Sequence, residues 1–175
     1  MLLAIHRVIR DVPAPDDAQW AARLPGWTQT TVELASGDDI ANALDTHLAP
    51  LAGRPAFAAD DGSGRLRLFV RDEPLGDRLM VRVLEEDVIG AVFELDAEAI
   101  RGGAVTFKKR PEHAAREVRS GQGTVALCLN PLDPDDVFRV TREGEVMPQK
   151  STFFYPKVPT GMVFRLHEPV TEPVT

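Results

Sequence analysis

Residues 55–70, PAFAADDGSGRLRLFV, read as two strands folded back on one another. Asp61-Gly62-Ser63-Gly64 has the composition of a tight turn: glycine enters positive φ without a Cβ penalty, and Asp and Ser side chains hydrogen-bond the turn's own backbone. Beyond it, Leu66, Leu68 and Val70 alternate with Arg65, Arg67 and Phe69, the period of two that belongs to a strand. A hairpin here puts an antiparallel sheet at the centre of the fold, and the remaining segments can be read by how they serve it.

Upstream, LLAIHRVI (2–9) reads as a strand, DDAQWAARL (16–24) as a short helix capped by Asp16 or Asp17 with Trp20 and Leu24 on one face, and TQTTVEL (28–34) as a strand. SGDDIANALDTHLAPL (36–51) opens on a capping box, Ser36 with Asp39, and sets Ile40, Leu44, Leu48 and Leu51 on one helical stripe. Downstream, DRLMVRVL (77–84) is expected to add a strand, and LEEDVIGAVFELDAEAI (84–100) a helix with Gly90 as its weak point. AVTFKK (104–109) and TVALCL (124–129) follow as strands and PEHAAREVRSG (111–121) as a short helix. LDPDDVFRVTREG (132–144) has Asp133 as cap, Pro134 at the first helical position and Gly144 as terminator. GMVFRLHE (161–168) alternates as a last strand. The pattern predicts an α+β (mixed α/β) fold, one sheet covered by helices on at least one face, as a single domain over residues 1–168 with a flexible tail at 169–175. It does not give the strand order.

A formal net charge of -7 argues against a general nucleic-acid binder, since phosphate-backbone affinity needs surplus Lys and Arg. The lone Cys128 rules out an internal disulfide and a multi-cysteine zinc site, and suits a reducing cytoplasm. The apolar run before His6 is too short for a signal-peptide core or a membrane span, so neither a membrane partner nor secretion is expected. His47, His113 and His167 fall on separate elements, which disfavours a histidine-built metal site, and no cofactor motif stands out.

The chemistry concentrates in residues 144–162, GEVMPQKSTFFYPKVPTGM. Lys150, Ser151, Thr152 and Lys157 offer two ammonium groups and two hydroxyls in one short loop, a set that can hold phosphate. It is not a P-loop, because the second glycine immediately before the lysine is missing and no helix is expected to follow. The competing reading is structural: Ser151 and Thr152 satisfying turn backbone, with the lysines in solvent. Phe153, Phe154 and Tyr155 read first as core, although Tyr155, the chain's single tyrosine, has a polar tip. On the first strand, His6 and Arg7 should face opposite ways, one inwards and one outwards. The KKR run at 108–110 reads as a solvated strand end.

Gly144, Met147, Pro148, Lys150, Ser151, Thr152, Phe154, Pro156, Lys157 and Gly161 fit the pattern G-x-x-M-P-x-K-S-T-x-F-x-P-K-x-x-x-G. This resembles the C-terminal signature of the bacterial and archaeal family known as domain of unknown function 1015. LCLNPLDPDDVFRV and LLAIHRVI are similar to that family more weakly, so the resemblance covers nearly the whole chain. It implies that the chain corresponds to the C-terminal half of a longer type of protein, since nothing here matches the G-H-H-R-Y-type motif of the family's N-terminal half, and it implies no particular reaction. The expectation is a phosphate- or anion-binding half of a small-molecule phosphotransferase-like enzyme, with Lys150, Ser151, Thr152, Tyr155, Lys157, His6 and Arg7 as ligand-binding candidates and a phosphorylated metabolite or nucleotide as ligand. The alternative is a non-catalytic interaction module, or an inactive truncated product. In the module reading, residues 2–9 form an open edge strand that pairs with a partner chain supplying the missing half, or with a second copy.

Overall fold

The computed structural model describes residues 2–35, 39–148, 150–151 and 153–156. The strand expected at 161–168, the tail at 169–175 and Ser36 of the capping box lie outside them. In chain order the elements are β1 (Leu2–Leu3), β2 (His6–Ile9), α1 (Asp17–Arg23), β3 (Thr28–Glu33), α2 (Ile40–His47), β4 (Ala56–Asp60) and β5 (Arg65–Val70). Then come α3 (Met80–Val83), α4 (Ala97–Ala99), β6 (Val105–Lys108), α5 (Pro111–Arg119), β7 (Val125–Leu129), α6 (Pro134–Arg142) and β8 (Phe153–Phe154). Leu84–Gly90 is π-helical, and Ile100–Ala104 is a π turn that breaks at Gly103, where φ is 99.

The hairpin stands as read: Ala56 lies opposite Val70 and Asp60 opposite Leu66, and the turn is closed by Gly62 N–H to Asp60 Oδ1 (2.9 Å) and Ser63 N–H to Asp61 Oδ1 (3.0 Å). It sits inside a six-stranded antiparallel sheet of order β3-β5-β4-β7-β2-β6. The fold is therefore α+β, with both faces of the sheet covered. On one face Trp20 of α1 and Leu24 at its end, Val81 of α3, Leu84, Val88 and Ile89 of the first π segment and Val140 of α6 pack on Phe57, Phe69 and Leu127. Trp20 anchors this layer, 4.8 Å from the Phe69 ring, 5.6 Å edge-on to Phe93 and 6.3 Å from Phe57. On the other face Ile40, Leu44 and Leu48 of the α2 region and Ala115 of α5 meet Ala58, Leu66, Leu68 and Cys128, while Ala114 and Val118 meet Val8 and Ala126.

Two covered faces change how the alternation is read. Phe69 and Arg67 share the side opposite Leu66 and Leu68, yet both are buried, and Arg67 is accommodated by ion pairs of 2.7 Å each to Asp17 and Asp61. Helix starts follow their caps: Asp16 forms a reciprocal capping box with Gln19, and Asp133 Oδ1 accepts from Asp135 N–H at the head of α6. Asp39 caps α2 without a side-chain hydrogen bond.

Three expectations are corrected. Residues 77–84 are not a strand: Val81, Leu84 and Val88 recur at helical spacing and bury as α3 and the following π segment. The helix over 84–100 is interrupted, because the backbone widens to i−5 bonding at Ala91 N–H to Glu86 O, Glu94 turns to φ 58, and Asp96 then caps a new turn through Ala99 N–H. Residues 2–9 are not one open edge strand. β1 pairs with β8 in a separate ribbon, and β2 lies between β7 and β6, which removes the edge through which a partner was expected to add. Among the described residues no helix is long and apolar enough to cross a membrane.

Candidate functional site

Antiparallel register gathers the starts of β2 and β4 and the ends of β5, β6 and β7 at one rim of the sheet: Ala56 faces Val70, Phe57 faces Leu129, and His6 faces Lys108. The signature loop arrives at the same end. Gly144, at φ 73, ends the α6 turn, and the chain then returns so that β8 pairs with β1, Phe153 opposite Leu3 and Phe154 opposite Leu2.

Within the loop, Lys150 is exposed and adopts a left-handed backbone at φ 58. Ser151 is buried and its hydroxyl donates to Pro148 O, so it closes its own turn, as the structural reading expected. Thr152 and Lys157 lie outside the described residues. Phe154 and Tyr155, expected in the core, are each 56% exposed, because this ribbon pairs with a two-residue strand and not with the main sheet. Lys109 Nζ stands 4.2 Å from the centre of the Phe153 ring, a cation–π contact at the end of β6.

His6 and Arg7 are both buried, which corrects the expectation that one of them faces water. Arg7 is 3% exposed; its Nη1 donates to Ile5 O, its guanidinium lies 5.7 Å over Phe107, and among the described residues it has no ion pair. Burial lowers its pKa to about 10, with Glu85 pulling the other way, so it remains a cation near neutrality. It borders a cavity of about 30 Å³ with Glu85 and Ile89 of the first π segment, Ile100 of the second, and Val105 and Phe107 of β6. Both π segments thus contribute to one small wall, and such insertions are frequent at functional sites.

On the opposite face, burial first and the Arg7 charge second lower the His6 pKa to about 4, against Glu112, and its Nδ1 has no hydrogen-bond partner among the described residues. Farther along β2 and β6, Glu117 of α5 is buried and takes Arg10 Nε (2.9 Å), Thr106 Oγ1 (2.9 Å) and the Lys108 ammonium. Burial pushes its carboxyl up, but the hydrogen bonds from Lys108, Thr106 and Arg10 outweigh it and hold the pKa below the usual value. Lys108 is therefore not the solvated strand end expected of the KKR run. Sequence reasoning passed over Glu117, whose only local signal is its place beside Ala114 and Val118 on the buried side of a nine-residue helix.

A second, wider hollow also lies on this rim. A groove of about 520 Å³ runs between the loops leading into β4, out of β5 and out of β7, with α6 on one side. The sequence singled out none of its residues as ligand-binding, though Pro55, Pro74 and Pro131 in three separate loops, with Pro134 at the head of α6, are its trace. Among the described residues no group of three or more His, Cys, Asp or Glu is arranged to hold a metal ion. No family model, no curated protein and no solved structure matches the chain.

Proposed function

We propose that this chain binds a small oxyanion, in the class of phosphorylated metabolites or nucleotides, at the corner where β2, the end of β6 and the signature loop meet, as the ligand-holding part of a phosphate-handling enzyme. The observation that carries this reading is Arg7, a guanidinium 3% exposed with one backbone acceptor and no ion pair among the described residues, attracted at longer range by Glu85 across a cavity of about 30 Å³. A buried cation that no carboxylate contacts directly is costly to the fold even with Glu85 nearby, and an anion that touches it gains an interaction strengthened by the dry surroundings. The hollow has room for about one oxygen atom or a water molecule, so Arg7 takes one oxygen of the ligand while its bulk stays outside. Lys109, over the Phe153 ring, adds positive charge at the end of β6, and Lys150 is exposed in the signature loop. The kinship that residues 144–161 suggest, with the domain of unknown function 1015 family, is part of the same proposal and adds no reaction to it.

Titration calorimetry with inorganic phosphate, ADP and ATP tests the reading on the intact chain and on Arg7→Met. Methionine fills similar space without charge, so the variant should fold at least as stably, since burying an apolar group in place of an unpaired ion removes a desolvation cost. Affinity should fall about ten- to a hundredfold, as expected for loss of a charged hydrogen bond. Unchanged affinity in Arg7→Met, or no binding of any of the three by the unaltered chain, refutes the assignment.

A further inference from the structure

Two strands along the rim from β2, the 520 Å³ groove is built differently from the Arg7 corner. Its volume lies within the range of small-molecule sites, and its walls hold four prolines whose fixed φ keeps the loops in shape without a ligand. Apolar surface comes from Leu75, Leu79 and Met80, and charge of both signs is present: Arg54, Arg78 and Arg139 on one hand, Asp133 and Asp136 on the other. A purely anionic ligand would meet the two aspartates, and a purely cationic one the three arginines. A molecule carrying one charge of each sign on an apolar body satisfies the lining.

The three arginines are not equivalent. Arg139 Nη1 donates to Asp77 O (3.1 Å), tying α6 to the loop after β5, its Nη2 pairs with Asp136 Oδ1 (3.3 Å), and Arg78 is held by Glu86 (2.8 Å) and Asp87 (2.9 Å). Both brace the wall. Among the described residues Arg54 is paired only with Asp72, at 2.8 Å between side chains 51% and 84% exposed. Such a water-screened pair is weak and exchanges readily for a ligand carboxylate, which a guanidinium takes in two parallel hydrogen bonds. For the opposite charge, Asp133 uses Oδ1 to cap α6, and Oδ2 has no hydrogen bond among the described residues.

We propose that this groove binds a zwitterion of the dipeptide class, its carboxylate on Arg54, its ammonium on Asp133, and its apolar side chains against Leu75, Leu79 and Met80. The site is separate from the Arg7 corner and does not depend on it. The test is calorimetry on the intact chain with L-leucyl-L-leucine, N-acetyl-L-leucyl-L-leucine, which lacks the ammonium, and L-leucyl-L-leucinamide, which lacks the carboxylate. Saturable binding of the free dipeptide is expected, at least tenfold weaker with either end blocked. Arg54→Gln should weaken it at least fivefold with an unchanged melting temperature, whereas Arg7→Met should leave it as it was. No saturable binding of L-leucyl-L-leucine overturns the proposal, as do equal affinity for the blocked forms, displacement by inorganic phosphate, or full affinity in Arg54→Gln.

Discussion

His6 and Arg7 are consecutive on β2, so their side chains leave the sheet on opposite faces, and each enters a covered layer. Arg7 keeps its charge there, whereas His6 gives its charge up. With the His6 pKa lowered from 6.5 to about 4, the unfolded chain binds the proton and the folded chain does not between those values. The stability contributed by neutral His6 is therefore complete above pH 6.5 and is lost as pH falls towards 4, by on the order of 3 kcal/mol for the full window. Urea unfolding of the unaltered chain and of His6→Gln, at pH 7, 5.5 and 4, should show the difference between them shrinking or reversing as pH falls. Parallel curves would mean that His6 titrates normally in the fold.

At the scale of elements, the turn between α5 and β7 is fixed by a close approach. A Cβ added at Gly123 would stand 2.3 Å from Val8 Cγ1 and 3.3 Å from Ile9 O. Val8 is fully buried and its branched side chain has few rotamers, so the strain passes into the pairing of β2 with β7. Gly123→Ala should destabilise the protein by about 1–3 kcal/mol, read as a lower urea midpoint with an unchanged slope. An unshifted midpoint would mean that β2 yields freely at Val8. Elements with local chemistry were legible beforehand: the Asp16 and Asp133 caps, the glycine turn of the hairpin, and the apolar run of β7. Residues 77–84 were not, because Val81 and Val83 favour strands by type while Val81, Leu84 and Val88 are spaced for a helix, and only packing against the Phe57 and Phe69 layer decides. The signature loop was visible as a candidate, but the burial of Arg7 was hidden by the assumption of one wet sheet face. The groove was hidden because its residues come from segments up to the whole span of 52–139 apart.

For the molecule as a whole, strand order sets a gradient of protection. β4 and β7 are buried at every residue and have a strand on each side, whereas β3 is an edge with four of its six residues exposed. Amide hydrogen exchange should be slowest in β4 and β7, faster on the outer side of β3, and fastest in the β1–β8 ribbon, which has two pairs of facing residues. Equal protection in β3 and β7 would contradict this order. The same layout sets the two tryptophans in different optical surroundings. Trp20 is 1% exposed among phenylalanines in the core, while Trp27 is half-buried, with its ring 5.3 Å from Phe57, just before Thr28, which faces Val70 at the end of β5. Excited together, the buried indole emits to the blue and reports on core integrity. The wetter one stands at the rim that carries the groove and the Arg7 corner, so the chain holds an intrinsic fluorescent reporter at the end where ligands are proposed to arrive.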